Sequence, residues 1–219
     1  MILVTGFGPY KEKINASGKL IASLNNDLPD ELGHLKPELH FEVIACKDAS
    51  RETQHMYLEE QLKVLLQKHN PEICLFTGQA PSYNKITIEK VAINSFLGET
   101  IDPVRPVGFW SDIPGLDTLI SELEGNDIPA AYSFYAGQHL CNHILYSSLY
   151  FAGSQTKPHR SGFVHIPVLP EQTINYHPDS PSMALDVSRK ALSIVINHIA
   201  QEAMHSCHFQ PAPKDAQIK

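Results

Sequence analysis

The chain has 219 residues, enough for one sizeable core, and its 17 basic and 24 acidic side chains leave a formal charge of −7 with no Lys/Arg run. That balance argues against nucleic acid and anionic membrane as partners, and no stretch approaches the roughly 18 apolar residues of a membrane span. Four widely spaced cysteines without a C-x-x-C pair read as reduced thiols, so the composition predicts a soluble, cytoplasmic protein with no metal and no cofactor.

In chain order, "MILVTGF" reads as a first strand and not as a signal peptide, and "SGKLIASLNN" reads as a helix. "LHFEVIAC" is a second strand, followed by a helix over "SRETQHMYLEEQLKVLLQKHN" with Leu58, Leu62, Leu65 and Leu66 on its buried stripe. "EICLFTG" is a third strand. "KITIEKVAIN", residues 85 to 94, has period two and reads as an extra, partly antiparallel strand that sets Glu89, Val91 and Ile93 on one face. The prolines of residues 103 to 114 mark a surface loop. "IPAAYSF", the helix "CNHILYSSLYF" and the strand "SGFVHIP" follow. The last helix, "SMALDVSRKALSIVINHIAQEAMH", carries Ala184, Val187, Ala191, Ile194 and Val195 as its buried stripe. The alternation predicts an α/β fold of one domain over residues 1–210, a mixed, mostly parallel twisted sheet with helices on both faces, and a flexible tail at 211–219. His205, Cys207 and His208 stand close together at that frayed end, which favours a tail over a metal site.

The stretch "AGQHLCNHILY" places Cys141 in the first turn of a helix whose buried positions are Leu140, Ile144, Leu145 and Leu149. Unpaired N–H groups and the positive end of the helix dipole would favour the thiolate there, and could also hold an oxyanion. The same position suits a small apolar residue packed in the core, and the segment alone leaves both readings open. A nucleophilic cysteine needs a base. His165 stands near the carboxyl end of a strand, where reacting groups gather in open α/β sheets. His34, His40, His55, His159 and His177 read as solvated surface residues. His139 and His143 are rivals to His165, and no acidic ligand turns them into a metal site. Glu89 either lies buried and paired, orienting an imidazole, or sits in water beside Lys85 or Lys90 on an edge strand. "TGFGPY" is no phosphate loop, because it has no third glycine in register and Pro9 removes a donor. Phe7 and Tyr10 are either the walls of a small flat pocket or core anchors.

"TGFGPY" with Asn15 and Ser17, "GQA…ITIEKVAIN", "IPAAYSFYAGQHLCNH" and "GFVHIPVLPEQ" together resemble the pyroglutamyl peptidase I family of cysteine peptidases, in order and over most of the chain. The resemblance implies a Glu89–Cys141–His165 triad acting on a peptide with an N-terminal pyroglutamate. It also implies a lactam pocket with Phe7 and Tyr10 at the ring, Leu140 in the lining, the Gln79 backbone accepting from the lactam N–H, and Asn15 nearby. A homodimer or homotetramer is implied as well. The departures gather around the pocket: Tyr10, Lys11 and Glu12 stand where the family has Phe-Gly-Gly, and Pro81, Ser82 and Tyr83 where it has Gly-Gly-Arg. Ala16 replaces Pro, His139 and Leu140 replace Phe-Val, and "ETIDP" replaces Arg-Ile-Pro-Asp. These changes leave triad chemistry intact while opening two further readings, a related thiol hydrolase for another small acyl amide or lactam and a catalytically silent binding relative.

Overall fold

The computed structural model describes residues 1–10, 12–46, 53–153 and 158–205 and the backbone of Gln217–Ile218. The elements run β1 (Ile2–Phe7), α1 (Ala16–Asn26), a 3-10 helix (Asp30–Glu38), β2 (Leu39–Ile44), α2 (Gln54–His69), β3 (Ile73–Gln79), β4 (Ile86–Glu89) and β5 (Val91–Ile93). They continue with β6 (Gly108–Trp110), α3 (Leu116–Glu124), β7 (Ala130–Ser133), α4 (Leu140–Ala152), β8 (Arg160–Ile166), a one-turn α5 (Gln172–Asn175), α6 (Leu185–His205) and β9 (Gln217–Ile218).

Six strands form one sheet in the order β2-β1-β3-β8-β4-β7. The first four are parallel, β4 runs antiparallel to β8, and β7 runs parallel to β4, so the mixed, mostly parallel sheet has two reversed strands at one edge. The period-two run of residues 85 to 94 is two strands and not one: the chain leaves the main sheet at Lys90, and β5 pairs with β6 in a second sheet. Val91 and Ile93 therefore do not share a strand with Glu89. The proline loop likewise contributes β6, and it buries Ile113.

Side-chain alternation decides which helices cover which face. Ile2, Val4, Ile73, Leu75, Ile86, Ile88, Val164 and Ile166 point into a core shared with α1, α3 and α6. Leu3, Phe7, Cys74, Phe76 and Phe163 point the other way, into a core shared with α2 and α4. Even positions of β3 and odd positions of β8 thus meet on the α4 side, and that parity selects the site. On α6 the buried face runs through Ser188, Ala191, Leu192, Val195, Ile196 and Ile199, while Ala184 and Val187 are exposed. The stripe is rotated from the sequence expectation because the helix packs against both α1 and α3.

The glycine of "TGFGPY" next to the end of β1 serves packing. A Cβ at Gly6 would stand 2.5 Å from the Ser17 carbonyl oxygen, so the first turn of α1 rests directly on the strand backbone. Asn15 caps that helix, its Oδ1 accepting from the Ser17 N–H at 3.0 Å, and Ser17 Oγ accepts from the Phe7 N–H at 3.0 Å. Of the tail at 211–219 and the His205, Cys207 and His208 group, only His205 and the backbone of Gln217–Ile218 lie within the described residues; that backbone pairs with β6.

Candidate active site

α4 begins at Leu140, with His139 as an extended N-cap residue that offers no side-chain cap. Cys141 therefore lies in the first turn, where backbone N–H groups have no preceding carbonyl to bond, and its thiol is half-buried. The turn is anchored by the fully buried Asn142. Its Oδ1 accepts from the Ile93 N–H at 2.8 Å, and its Nδ2 donates to the Ile93 and Ser95 carbonyls at 2.8 and 2.9 Å. β5 thus holds the helix start in place. Beneath the sulfur lies Gly78 of β3, where a Cβ would stand 2.9 Å from Cys141 Sγ and 2.7 Å from Phe163 Cζ. Any side chain at Gly78 would push the sulfur off its seat.

Gly78 pairs with His165 across β3 and β8, and Thr87 pairs with His165 across β8 and β4. Glu89, two residues on from Thr87, is on the same face as the imidazole. His165 Nδ1–H donates to Glu89 Oε1 at 2.7 Å, with both groups buried. Among the described residues, the other carboxylate oxygen has no partner. A buried carboxylate with one bond is costly, on the order of 1–3 kcal/mol per unmet polar atom, so the positive ring is its main compensation. Burial opposes charge on His165, but the Cys141 sulfur and then the Glu89 carboxylate outweigh it and push the imidazole up to about 9. At neutral pH the ring is therefore an imidazolium between a sulfur and a carboxylate.

The remaining expected residues fall into two groups. Phe7 and Leu140 belong to the buried cluster against which Cys141 packs, and Tyr10 lies 6.4 Å, ring to ring, from His139. The side chain of Gln79 points to the opposite face of the sheet. There its Oε1 accepts from the Ala16 N–H at 2.8 Å and from Gln172 Nε2 at 2.9 Å, leaving only its backbone near the sulfur's side. Asn15 is engaged in capping α1. Glu12, in the departing loop, joins this rear network through His177 Nε2 at 2.7 Å and Gln172 Nε2 at 2.9 Å.

Several histidine expectations need correction. His159 is not solvated: it is 1% exposed, shares a 3.0 Å hydrogen bond with Ser148 Oγ, and burial pulls it down to about 4. His55 and His177 are half-buried, whereas His34 and His40 are exposed. His143 is fully buried beside Glu59. Among the described residues, no three His, Cys, Asp or Glu side chains are arranged to hold a metal ion.

Sequence reasoning did not single out Gly78, Asn142, Phe163 or Tyr83 as contributors. The Phe163 ring lies 4.6 Å from that of His165, and the Tyr83 ring meets His165 edge-on at 5.5 Å. Alternation along "SGFVHIP" could have paired Phe163 with His165. The others depend on contacts between segments distant in sequence.

A chain with this arrangement has close counterparts. Residues 1–202 match the family model described as pyroglutamyl peptidase. A pyrrolidone-carboxylate peptidase of Treponema denticola is 31% identical over 216 residues, covering 91% of this chain and 93% of that one. Its counterpart from Brevibacillus brevis is 33% identical over 210 residues, covering 89% and 90%. Among solved structures, a mutant pyrrolidone carboxyl peptidase from the hyperthermophile Pyrococcus furiosus superposes with a TM-score of 0.77 at 27% identity, covering 92% of this chain and 98% of that one. The Thermococcus litoralis enzyme, at 23% identity and a TM-score of 0.79 over 97% and 98%, shares the fold. Since the family pattern spans nearly the whole α/β fold, including the three segments that bring Glu89, Cys141 and His165 together, the chain belongs to the pyroglutamyl peptidase family.

Proposed function

We propose that this chain is a cysteine peptidase that releases pyroglutamate from the N-terminus of peptides through an acyl-enzyme on Cys141. The observation that carries the reading is the 2.7 Å bond from His165 Nδ1–H to the buried Glu89 carboxylate, on the face that holds the Cys141 sulfur at a helix start. The Cys141 thiolate attacks the pyroglutamyl carbonyl carbon, and first-turn N–H groups of α4 donate to the oxyanion that develops. The C–N bond breaks as His165 gives its Nε2 proton to the leaving amine, which leaves a thioester. The neutral ring then takes a proton from water, hydroxide adds to the thioester, and free pyroglutamate departs with the thiolate regenerated. Glu89 keeps the proton on Nδ1, so that Nε2 is the nitrogen that exchanges.

A pyroglutamyl end has no charged amine, so its pocket needs apolar walls. Phe7, Leu140 and Tyr10 supply them in this reading, and the Gln79 backbone and Asn15 are the polar candidates. His139 favours a second reading of the same chemistry with another small acyl amide, because it brings a titratable ring against Tyr10 and Phe96. The proposal extends to a cytoplasmic homodimer or homotetramer. It draws on the free thiols of Cys46, Cys74 and Cys141 and on the exposed Trp110, Phe134 and Tyr135.

The test is hydrolysis of a chromogenic pyroglutamyl amide by the wild type beside Cys141→Ala, with the elution volume of the same preparation reporting assembly. Wild-type turnover and none by the variant, at an unchanged circular dichroism melt, is the expected result. Turnover retained by the variant ends the mechanism. An untouched pyroglutamyl amide with turnover of other lactams or acyl amides favours the second reading.

A further inference from the structure

Among the described residues, Glu89, Cys141, Phe163 and Tyr83 all meet the His165 imidazole. Glu89 holds Nδ1, Cys141 lies toward Nε2, and the rings of Phe163 and Tyr83 stand at 4.6 and 5.5 Å, the latter at 81° to the imidazole plane. Glu89 and Phe163 are fully buried and belong to the floor, while Cys141 and Tyr83 are partly exposed and face outward. The sulfur has to stay open to substrate. Tyr83 is therefore what covers the imidazole on its outer side, where His165 is only 5% exposed.

Tyr83 is itself anchored. Its backbone N–H closes a turn onto the Ala80 carbonyl at 3.0 Å, directly after β3. The Ser133 side chain lies near the Tyr83 hydroxyl, where it partly offsets the burial that raises the Tyr83 pKa, and Ser133 Oγ accepts from the Tyr135 N–H at 3.1 Å. Ser133 is the residue paired with Glu89 across β4 and β7. Tyr83 thus stands against His165 and near Ser133, the register partner of the glutamate that holds the imidazole. An imidazole fixed only at Nδ1 can still swing about that bond and carry Nε2 away from the leaving nitrogen. A ring edge against its outer side removes that freedom, and misplacement on the order of 1 Å costs an enzyme about 10²-fold.

Building on the reading above, we infer that Tyr83 is a positioning residue for the reaction, its ring edge holding the His165 imidazole in line between Glu89 and Cys141. The ring, and not the hydroxyl, carries the effect. Tyr83 lies on a half-exposed turn outside both cores, so truncation leaves the fold's packing intact.

The experiment compares Tyr83→Ala, Tyr83→Phe and Ser133→Ala with the wild type in two assays. On a chromogenic pyroglutamyl amide, Tyr83→Ala is expected to lose about 10- to 100-fold in kcat with KM within about threefold, while Tyr83→Phe stays within about threefold in both. Ser133→Ala, which removes the same hydroxyl contact and keeps the ring, is expected to match Tyr83→Phe. Tyr83→Leu, which removes the aromatic ring but keeps an apolar side chain, serves as the informative variant if Tyr83→Ala melts below the assay temperature. In the second assay, iodoacetamide alkylation of Cys141 at pH 6 slows several-fold in Tyr83→Ala and not in Tyr83→Phe, because a displaced imidazolium no longer stabilises the thiolate. That measurement needs no substrate. If the wild type leaves the amide untouched but the alkylation difference appears, the peptidase reading falls and the positioning role stands. Unchanged kcat and alkylation in Tyr83→Ala, a loss confined to KM, or equal losses in Tyr83→Ala and Tyr83→Phe would each overturn the inference.

Discussion

Of the glutamate–histidine contacts on the α2–α4 side of the sheet, two have imidazoles that behave in opposite ways. Glu89 and His165 stand 2.7 Å apart, and the ring is pushed up to about 9. Glu59 and His143 stand 3.7 Å apart, and the ring is pulled down to about 4. Burial opposes charge on both rings, so the difference lies first in the Cys141 sulfur, which acts on His165 alone of the two, and then in what else holds each carboxylate. Arg105 donates to both oxygens of Glu59 at 3.3 Å, Ser147 Oγ donates to one of them at 3.3 Å, and His55 and Arg105 add positive charge against His143. Glu89 accepts from His165 alone among the described residues. His165 thus has a sulfur and an otherwise unclaimed carboxylate to favour its charged form, whereas the carboxylate beside His143 is held by Arg105.

The sharpest way to break this contrast is Glu89→Gln, which keeps the shape and an acceptor for Nδ1–H but removes the charge. We expect kcat on a pyroglutamyl amide to fall about 10³- to 10⁴-fold. For the wild type, kcat/KM should decline as pH rises through about 9, where the leaving amine loses its proton donor. Loss of the carboxylate moves that limb down, toward the ordinary histidine value near 6.5. Stability follows the same sign. The folded pKa of His165 is raised, so its contribution is fully present below about pH 6.5 and is lost as pH climbs through about 9. A pH–rate limb unmoved by Glu89→Gln would show that the carboxylate does not stabilise the imidazolium.

The opposite manipulation is Arg105→Met, which frees Glu59 to act on His143. The His143 imidazole should then titrate well above its wild-type value of about 4, visible by NMR of the ring. Removing one partner of a largely buried pair should also lower urea stability by about 1–3 kcal/mol, below the figure for a fully buried pair because both side chains keep some solvent contact. In the wild type, His143 and His159 are both depressed, so the unfolded chain binds protons first; their contribution is complete above about pH 6.5 and drains away as pH falls toward 4. The variant should show less of that acid loss. If His143 still titrates near 4 without Arg105, burial alone silences it and the argument about competing cations fails.

The two contacts were unequally legible in the sequence. Strand runs alternating with helix periods fixed the α/β class, and a cysteine after "AGQHL" indicated a first-turn thiol because both are properties of neighbouring residues. Glu89 was a candidate through its apolar neighbours, yet only the family resemblance joined it to His165, 76 positions away. Period two assigns a residue to a face but says nothing of strand direction. Hence the reversal of β7 and the departure of the chain from the sheet at Lys90 were invisible. The Arg105–Glu59 clamp and the approach of Gly78 to the sulfur arise from segments 46 and 63 residues apart, for which spacing along the chain carries no signal. The stripe on α6 was misphased for a related reason: Val187 is apolar but faces solvent, and what decides burial is the pair of helices that α6 happens to meet.

Beside the Glu59–His143 contact lies Phe96, packed edge-on to His143 at 5.7 Å and stacked on His139 at 5.5 Å and 22°. His139 stands 6.4 Å, ring to ring, from Tyr10 and two residues before the sulfur, where the family resemblance has Phe. An imidazole there sheds water when a lactam ring enters, whereas a phenyl ring has nothing polar to desolvate. His139→Phe should therefore lower KM for the pyroglutamyl amide about two- to fivefold, an effect of under about 1 kcal/mol, and leave kcat within about twofold because Glu89, Cys141 and His165 are all retained. Its stacking on Phe96 survives the exchange, so the thermal melt should hold or rise slightly. A KM that rises instead would make His139 a hydrogen-bonding partner of the substrate, and would move the preferred ligand from the apolar-walled lactam toward a more polar small acyl amide.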